Sequence, residues 1–575
     1  MNIPDFNHLK RNLKKVVTGM PTLRMAILAD MASQFITQAI KGYAIEYGVN
    51  FVVFEADYNQ IDRQILDPNS ELYEFAPDYV LILRGTERLT KQFYKADAKT
   101  TFADAQLGYT ENLHQTILSS ISHCRVITNT FIELNDAVFG NYAAKVPSSL
   151  PFQLKKLNLG LMELAQINKN LFLVDIDALV THHGYRYTFD SKIYVAADMV
   201  FSIDFLPVLA KNICDVILSI HGKFKKCIIL DLDNTTWGGI IGDDGMEGIQ
   251  IGDLGTGKIF SELQLWIKQL KQRGIIVAVC SKNTEEIALE PFKNHPEMVL
   301  RLEDIAVFMA NWENKADNIR AIQSVLNINM DAIVFIDDNP FERELVKKEI
   351  PGITVPDMPE DPAEYLLFLK KLNLFETASY TEGDAQRTQQ YQEEAKRTIK
   401  MQKFANEDEF LASLNMKSVV ASFNSFTIPR VSQLSQRSNQ FNLRTVRYTE
   451  EELNAMVNSD SYFTYSFTLT DTFGDNGLIS FAVLKKINDD ILFIENWAMS
   501  CRVLKRGMEQ FIINCIVADA LQNGFSKIQG EYIPTAKNMM VKELYQSLHF
   551  ISNENFWELD ITTPYTGKKF YIKRV

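Results

Sequence analysis

Two carboxylates follow directly on a short apolar run in the segment Cys227–Asp243, CIILDLDNTTWGGIIGD. The run Cys227–Leu230 predicts a strand buried on both faces of a parallel sheet. Asp231 and Asp233 then lie at its carboxyl end, where open α/β sheets place their ligand sites. With Thr235 two residues further on, the pattern predicts a nucleophile, a general acid and a metal site, although Asp-rich loops also cap helices and close turns. The glycines that follow favour tight turns over a regular helix.

Three further chemical groups follow predicted strands or begin a predicted helix. They are Ser281 after the strand Ile275–Cys280, Lys315 at the start of a helix, and Asp337-Asp338 after the strand Ala332–Ile336. Each also has a purely structural explanation, as a helix cap, a solvated lysine or a turn. Because parallel strands that alternate with helices end at one edge of their sheet, the order of these groups predicts that they meet Asp231 there.

The order Asp-x-Asp-x-Thr, then Ser, Lys and Asp-Asp, resembles that of the haloacid dehalogenase superfamily. In detail, the segments DLDNTTWGG, VCSKN, NWENK and IDDNPFER resemble its FkbH-like branch, subfamily IIIC, as do the long regions on either side. The resemblance extends over nearly the whole chain and is most specific over residues 227–345. It implies a Rossmann-like core, and the short gaps between the motifs leave no room for a large cap domain.

The resemblance implies phosphoryl or acyl-phosphate chemistry, and the residue types fit it. Asp231 would attack phosphorus and form an aspartyl-phosphate, and Asp233 would protonate the leaving oxygen and later activate water. Ser281 and Lys315 would hold the transferring oxygens, with the lysine as a fixed positive charge. Thr235 completes the expected catalytic set.

A Mg²⁺ ion is expected beside these residues, because Mg²⁺ prefers hard oxygen ligands. The expected ligands are Asp231, the carbonyl of Asp233, and Asp337 or Asp338, with the choice between the last two open. The ion would offset the repulsion between a carboxylate nucleophile and an anionic phosphate.

FkbH-like proteins are associated with loading a glyceryl unit from 1,3-bisphosphoglycerate onto the phosphopantetheine thiol of an acyl carrier protein. The resemblance therefore implies a phosphorylated small-molecule substrate and an acyl carrier protein as partners. Cys280, immediately before Ser281, is the candidate for a transient thioester. The alternative is that Cys280 is a small apolar residue of a buried strand, since thiolate reactivity requires a lowered pKa.

The fold class predicted for the chain is multidomain α/β, with four segments. They are an SGNH-hydrolase-like α/β domain at 1–205, a catalytic domain like that of the haloacid dehalogenases at 206–375, a connecting helix at 376–409, and an α+β domain at 410–575 that resembles GNAT acyltransferases. Strands are expected in the first domain at Met25–Leu28, Tyr79–Leu83, Val126–Ile127 and Leu171–Val174, and in the last at Tyr462–Leu469, Leu478–Leu484 and Ile491–Trp497, before a helix near 505–523.

The catalytic positions expected of the first domain are altered. Met31 stands where the SGNH family carries its serine, and Glu87 stands where an asparagine would help to form the oxyanion hole. Ser33 could be a displaced nucleophile, but no general base is identifiable among His182, His183 and Asp190. Esterase activity is not expected, and a docking or lid role is the better interpretation.

The last domain carries a basic helix start where the GNAT family binds a pyrophosphate. Arg502, Lys505 and Arg506 would hold the phosphate of CoA or of a phosphopantetheine arm by charge, and Gly507 would allow close backbone approach. Lys505 replaces the first glycine of the usual pattern. The alternative is a solvated basic helix start, which the helix dipole mildly disfavours.

The composition narrows the function classes. The chain has 575 residues and a net charge of −13, so nucleic acid is not an expected partner. It shows no membrane-spanning or secretory segment, and its six cysteines form no CxxC pair, so we expect a cytoplasmic location and no membrane partner. Three hypotheses remain: a Mg²⁺-dependent phosphatase or glyceryl (acyl) transferase, a small-molecule phosphatase that uses the same aspartate, and a non-catalytic scaffold that binds carrier proteins.

Overall fold

The computed structural model describes residues 3–380, 393, 406–553, 556–562, 565 and 569–575. The chain divides into two compact units. One holds the residues up to Ile217 together with Lys371–Asn373, and the other holds Leu218–Lys370 and Leu374–Val575. The first unit therefore ends later than the predicted limit at residue 205, because most of a helix that begins at Leu206 belongs to it.

The first unit contains a parallel five-stranded sheet with the order β2-β1-β3-β4-β5. Its strands are β1 (Thr22–Ala29), β2 (Asn50–Glu55), β3 (Tyr79–Leu83), β4 (Arg125–Asn129) and β5 (Leu171–Val174). All five residues of β3 are buried, because helices cover both faces of a parallel sheet. The four predicted strands are confirmed, and the edge strand β2 was missed, although its apolar run at 51–54 carries a strand signal.

Eleven helices connect and cover these strands in the described part of the first 220 residues. They are α1 (Phe6–Asn12), α2 (Gln34–Glu46), α3 (Ile61–Leu66), α4 (Glu71–Phe75), α5 (Thr86–Lys95), α6 (Phe102–Ser120), α7 (Leu150–Ile167), α8 (Ile176–His183), α9 (Tyr185–Thr188), α10 (Ser191–Ala197) and α11 (Leu206–Ile220). The βα alternation expected of a parallel sheet is thus confirmed.

The second unit begins with a parallel four-stranded sheet of order β8-β7-β6-β9. Its strands are β6 (Cys227–Leu230), β7 (Ile276–Ser281), β8 (Val307–Ala310) and β9 (Ile333–Ile336). Alternate residues of β6 enter two apolar layers, with Ile228 on one face and Ile229 on the other. Three of the strands were predicted, and the edge strand β8 was missed.

Six helices accompany this sheet. They are α12 (Ile241–Gly248), α13 (Gly257–Gln272), α14 (Glu285–Asn294), α15 (Lys315–Leu326), α16 (Pro340–Glu349) and α17 (Tyr365–Lys371). The turns predicted for the glycine-rich stretch are partly wrong, because α12 forms there. Gly245 interrupts this helix with φ 67° and ψ −178°, a conformation that glycine adopts at little cost. The segments between β6 and β7 contain α12 and α13 but no further folded domain.

The remainder of the second unit is an α+β domain around a ten-stranded sheet in the described residues. Its strands are β10 (Lys417–Ser418), β11 (Val420–Ala421), β12 (Phe441–Asn442), β13 (Tyr462–Asp471), β14 (Gly474–Lys486), β15 (Ile491–Met499), β16 (Lys527–Gly530), β17 (Ile551–Asn553), β18 (Phe556–Asp560) and β19 (Lys573–Arg574). The three antiparallel strands predicted here, now β13 to β15, are confirmed.

Five helices pack with this sheet among the described residues. They are α18 (Glu407–Ser413), α19 (Ile428–Arg437), α20 (Glu450–Val457), α21 (Met508–Gln522) and α22 (Leu544–Ser547). The helix predicted near 505–523 is confirmed as α21. Most of the connecting helix predicted for 376–409 lies outside the described residues. None of the helices that the structure describes has the length and hydropathy that crossing a bilayer requires.

The C-terminal domain contacts the amino-terminal edge of the four-stranded sheet. Lys537 forms an ion pair with Asp331 (Nζ to Oδ2, 2.6 Å), which lies just before β9. Asn439 donates a hydrogen bond to the carbonyl of Gly222, just before β6 (3.1 Å). These contacts therefore lie at the opposite edge of the sheet from the residues that follow β6, β7 and β9.

Candidate active site

The carboxyl edge of the four-stranded sheet carries the predicted carboxylates. Asp231 follows β6 and is 6% exposed, and its backbone N–H donates to the carbonyl of Ile336 at the end of β9 (2.9 Å). This bond joins the ends of two neighbouring strands. It brings Asp231 beside Asp337 and Asp338, the residues that follow β9.

Lys315 bridges two of these carboxylates. It is the first residue of α15, and Asn314 caps this helix by accepting a hydrogen bond from the N–H of Ala316 (2.8 Å). The Lys315 ammonium lies 3.0 Å from Asp231 Oδ1 and 2.6 Å from Asp337 Oδ2. Both Asp231 and Lys315 are almost completely buried, so this is an ion-pair network shielded from water.

Thr235 and Arg343 hold the acidic loop after β9. The Thr235 hydroxyl accepts a hydrogen bond from the N–H of Asp338 (2.9 Å) and donates one to its carboxylate (3.2 Å). Arg343 donates through Nη1 to the carbonyls of Asp337 (2.9 Å) and Asp338 (2.5 Å). The predicted Thr235 thus positions a carboxylate, and Arg343 is a positioning residue that sequence reasoning missed although IDDNPFER contains it.

Asp233 is held by three donors. Its Oδ1 accepts hydrogen bonds from Trp237 Nε1 and from the N–H of Ile241 (3.0 Å each). Its Oδ2 accepts one from Asn283 Nδ2 (2.9 Å). Trp237 and Asn283 were not predicted as site residues, although both lie within the motifs DLDNTTWGG and VCSKN.

Ser281 ends β7 at the same edge and is 2% exposed. Its carbonyl accepts a hydrogen bond from the N–H of Asn311 in the loop after β8 (3.2 Å). Lys282, the next residue, forms an ion pair with the buried Glu342 at 2.6 Å. The structure therefore joins Lys315 to Asp231 and places Ser281 at the end of the neighbouring strand. The role predicted for Ser281 stays a prediction.

Burial and charge shift the proton equilibria of this cluster. Burial raises the pKa of Asp231, the Lys315 cation opposes this, and the Asp337 charge adds to it. Burial also raises the pKa of Asp338, with a further contribution from Asp337. Burial lowers the pKa of Lys315, but the two carboxylates more than offset it, so its net pKa is raised and the ammonium stays charged.

The three aspartates suit a divalent cation. Asp231, Asp337 and Asp338 each offer an oxygen, and these atoms lie within 4.8 Å of one another. Asp231 Oδ1 is buried, and it lies 3.0 Å from the Lys315 ammonium. Three carboxylates beside one ammonium leave two negative charges uncompensated, which a hard divalent ion with oxygen ligands would neutralise. Both Asp337 and Asp338 belong to this cluster, so the choice between them stays open, as the prediction left it.

Cys280 is corrected from a candidate thioester carrier to a core residue. Successive side chains of a strand point to opposite faces, so Cys280 faces the apolar layer under α15 rather than the edge at Ser281. It is 0% exposed, and its thiol donates a weak hydrogen bond to the carbonyl of Lys315 (3.7 Å). Burial raises the pKa of Cys280 to about 12, so the reactive thiolate is suppressed.

The altered positions of the first unit do not assemble a serine nucleophile with a histidine. The Ser33 hydroxyl donates to Glu55 (2.6 Å), and Asp190 caps α10 by accepting from the N–H of Lys192 (2.8 Å). His183 stacks on Tyr187, and burial lowers the pKa of His183 to about 4.

The other residues at the altered catalytic positions of the first unit also lie in surroundings that do not form a catalytic site. Met31 is buried beside Gly85, and His182 lies near the end of α8. Burial raises the pKa of Glu87, whose carboxylate oxygens are buried without a hydrogen-bond partner among the described residues. The SGNH-like assignment stays a prediction.

The basic cluster of the C-terminal domain does not fit a phosphate as predicted. Arg506 forms a buried ion pair with Asp471 (3.1 Å), in which the side chains are 5% and 0% exposed. Glu509 occupies the first turn of α21, where its charge already interacts favourably with the helix dipole and would repel an anion. The assignment of Arg506 to CoA or phosphopantetheine is therefore corrected to a structural ion pair.

The other residues of the basic cluster lie in the segment that precedes α21. Arg502 lies in the 3₁₀ turn Cys501–Val503. Lys505 is exposed with φ 61°, and Gly507 has φ 75° immediately before α21. Among the side chains of this cluster that the structure describes, Lys505 is therefore the exposed cation in the loop before α21.

Comparison with known proteins places the chain in a family. The model of the FkbH N-terminal domain matches residues 24–218. The N-terminal part of the protein BF1531 from Bacteroides fragilis, which contains a phosphatase domain and was crystallised with Mg, is 49% identical; the match covers 65% of this chain and 100% of that one, with a TM-score of 0.64. The chain belongs to the FkbH-like proteins of the haloacid dehalogenase superfamily.

Two acetyltransferases are also similar to part of the chain. The ribosomal-protein-S18-alanine N-acetyltransferase of Escherichia coli is 17% identical over 27% of this chain and 99% of its own, with a TM-score of 0.21. The spermidine N-acetyltransferase of Vibrio cholerae is 12% identical over 25% of this chain and 96% of its own, also with a TM-score of 0.21. None of the curated proteins compared with the chain matches it.

Magnesium should stabilise the folded chain through the three aspartates. A ligand that binds only the folded state at one hundred times its Kd adds about 2.7 kcal/mol to the free energy of unfolding. We expect thermal unfolding to shift upward with Mg²⁺, and Asp231→Asn or Asp338→Asn to reduce the shift. The matched control is Asp317→Asn, which changes an aspartate with a 66% exposed side chain on α15. An equal shift in all variants would contradict the site.

Cys280→Ala should leave the chemistry intact. The thiol is enclosed, so we expect phosphate release and any acyl loading to change by less than about twofold, with a loss of stability of about 1 kcal/mol, typical of a point substitution. Cys227→Ala is the control, because Cys227 is also 0% exposed on the neighbouring strand. Loss of acyl loading in the Cys280 variant alone, or a mass adduct on Cys280, would restore the thioester hypothesis.

Asp471→Asn should destabilise the C-terminal domain strongly. The substitution removes the carboxylate charge that pairs with the buried Arg506 cation, and breaking such a pair costs about 3–5 kcal/mol in the free energy of unfolding. Urea unfolding measures this loss. The control Asp489→Asn removes an exposed partner of Lys486 and should leave stability unchanged. A small loss in the Asp471 variant would show that Arg506 has other compensation and remains available.

Proposed function

We propose that this chain is a Mg²⁺-dependent enzyme of the phosphatase type that cleaves a phosphate group through Asp231. The single observation that carries this is the buried Asp231 with Lys315 at 3.0 Å and two further carboxylates within 4.8 Å. A non-catalytic scaffold does not need such a cluster, because its buried charges cost free energy. The phosphatase domain of the Bacteroides fragilis relative, crystallised with Mg, supports the same chemistry.

The residues of the site divide the reaction between them. Asp231 attacks phosphorus and forms an aspartyl-phosphate, while Asp233 gives a proton to the leaving oxygen. Asp233 then takes a proton from the water that hydrolyses the intermediate. Lys315 and Ser281 hold the phosphoryl oxygens. A bound Mg²⁺ would supply positive charge that lowers the repulsion between Asp231 and the anionic phosphate.

We further propose an acyl phosphate, such as 1,3-bisphosphoglycerate, as substrate and an acyl carrier protein as acceptor. Attack at phosphorus releases the acyl group as a carboxylate, so it gives hydrolysis. Loading requires the carrier thiol to attack the carbonyl carbon, with inorganic phosphate as the leaving group and the thiol proton passing to a base. From 1,3-bisphosphoglycerate this step gives a 3-phosphoglyceryl thioester, and hydrolysis of the remaining phosphate ester gives the glyceryl unit. In the thioester-forming step the site holds the phosphate, and Asp231 is not the nucleophile.

The mouth of the site supports a bulky partner. No separate cap domain interrupts the described chain between β6 and β9. Three exposed apolar residues follow strand ends at this edge: Ile240 after β6 is 43% exposed, Trp312 after β8 is 74% exposed, and Phe341 after β9 is 70% exposed. Contiguous exposed apolar patches mark protein contacts or ligand-binding grooves, so these side chains are candidates for contact with a partner.

The test incubates the full chain with Mg²⁺, 1,3-bisphosphoglycerate and a phosphopantetheinylated carrier protein. Phosphate release and the intact mass of the carrier are measured together. A phosphoglyceryl or glyceryl mass shift on the carrier supports loading, and phosphate release without either shift supports the plain phosphatase. Release of neither product would contradict both and favour a scaffold.

Two variants separate the routes. In the absence of the carrier, Asp231→Asn should lower phosphate release by about 10⁴-fold or more, as loss of a nucleophile does. In the presence of the carrier, thioester formation should fall less, because the thiol attacks carbon. Asp317→Asn is the matched control, because it makes the same substitution at an exposed aspartate outside the site and should change neither activity. Equal loss of both products in Asp231→Asn would contradict the two-route proposal.

A further inference from the structure

Asp233 can transfer a proton efficiently only if its carboxyl group faces the leaving oxygen. Misplacement of a catalytic group by about 1 Å costs on the order of 10² in rate. Flexible aspartates sample several rotamers, so something must select one of them. The three donors around Asp233 come from three separate segments: the loop after β6, the start of α12, and the loop after β7.

These donors use the two carboxylate oxygens unequally. Oδ1 accepts two hydrogen bonds, from Trp237 Nε1 and the N–H of Ile241, and so has both of its lone pairs engaged. Oδ2 accepts one, from Asn283 Nδ2, and keeps one lone pair. Of the two oxygens, Oδ2 therefore keeps room for a further hydrogen-bond partner.

The donors themselves are fixed. Trp237 is 0% exposed and packs edge-on against Phe292, with 5.8 Å between ring centroids. The backbone beside it is tied down, because Gln264 donates to the carbonyl of Thr236 (2.8 Å). Asn283 is 4% exposed in the loop that begins with Ser281.

We propose that Trp237 and Asn283 are positioning residues that fix Asp233 in one orientation, with its Oδ2 presented to the leaving oxygen before substrate binds. This inference rests on the proposed phosphatase-type function. In the first step the Asp231–phosphorus bond forms, the bond between phosphorus and the leaving oxygen breaks, and the proton on Asp233 Oδ2 goes to that oxygen. In the second step Asp233 takes a proton from the attacking water, and the aspartyl-phosphate bond breaks.

A series of aryl phosphates with leaving groups of increasing pKa tests the proposal. A poor leaving group needs the proton from Asp233, whereas an activated one such as dinitrophenolate departs without it. Asp233→Asn should thus give the steepest dependence of kcat/KM on the leaving group. General acid–base help is worth about 10²–10⁴ in rate, which sets the range to be observed.

Two variants probe the positioning residues. Trp237→Phe removes the indole donor and keeps an aromatic ring against Phe292, and Asn283→Ala removes the amide donor. Each should lower kcat/KM by about 10- to 100-fold for phenyl phosphate and by less than about threefold for dinitrophenyl phosphate, because only the misplaced acid is affected. In an Asp233→Asn background, neither substitution should steepen the dependence further.

The control is Asn318→Ala, since Asn318 is a buried asparagine with 5% exposure whose amide bonds with Asn311 (2.7 and 3.2 Å). Its leaving-group dependence should equal that of the wild type. Equal losses for all esters in Trp237→Phe and Asn283→Ala, or an equal steepening in Asn318→Ala, would overturn the proposal. If the folded, Mg²⁺-supplied wild type releases phosphate neither from 1,3-bisphosphoglycerate nor from the esters, the proposed function fails. If it releases phosphate from 1,3-bisphosphoglycerate but from none of the esters, the proposed function stands and this inference fails.

Discussion

The ion pairs of Lys315 are the constraint on which the site depends. One buried ammonium faces two buried carboxylates, Asp231 and Asp337, and a third, Asp338, lies beside them. A buried charge without a partner costs several kcal/mol of folding free energy, and the ion pairs with Lys315 reduce that cost. One lysine does not neutralise all three carboxylates. The residual negative charge favours binding of a divalent cation. A bound cation would reduce the repulsion between these carboxylates and an anionic phosphate.

The fold supplies this arrangement through the ends of its strands. Strands β6, β7 and β9 are adjacent and parallel, so the residues that follow them meet without any long loop. Two side chains then fix the acidic loop after β9. Thr235 bonds with the backbone and the side chain of Asp338, and Arg343 donates to the carbonyls of the same loop. The chemistry lies in loops, but a rigid sheet edge fixes their starting points.

Much of this was predictable from the sequence, because continuous apolar runs mark the central strands and the motif order marks their shared edge. The edge strands β2 and β8 were missed, since their half-exposed patterns carry a weaker signal. Whether Cys280 faces the core or the site depends on the side-chain alternation of β7, which a one-residue error in register reverses. The ion pair of Arg506 could not be predicted from local sequence, because its partner lies 35 positions away. Contacts between separate segments, such as that of Asn283 with Asp233, leave no trace in local spacing.

Hydrolysis and acyl transfer make opposite demands on this site. Hydrolysis needs water at the aspartyl-phosphate, whereas transfer to a thiol needs water excluded from the acyl group. The contacts of the C-terminal domain lie at the amino edge of the sheet, and the described chain between β6 and β9 contains no separate cap domain. On the proposed function, a carrier protein bound at the carboxyl edge would exclude water there. Trp312 and Phe341 offer apolar surface there, so docking of a carrier would itself favour transfer over hydrolysis.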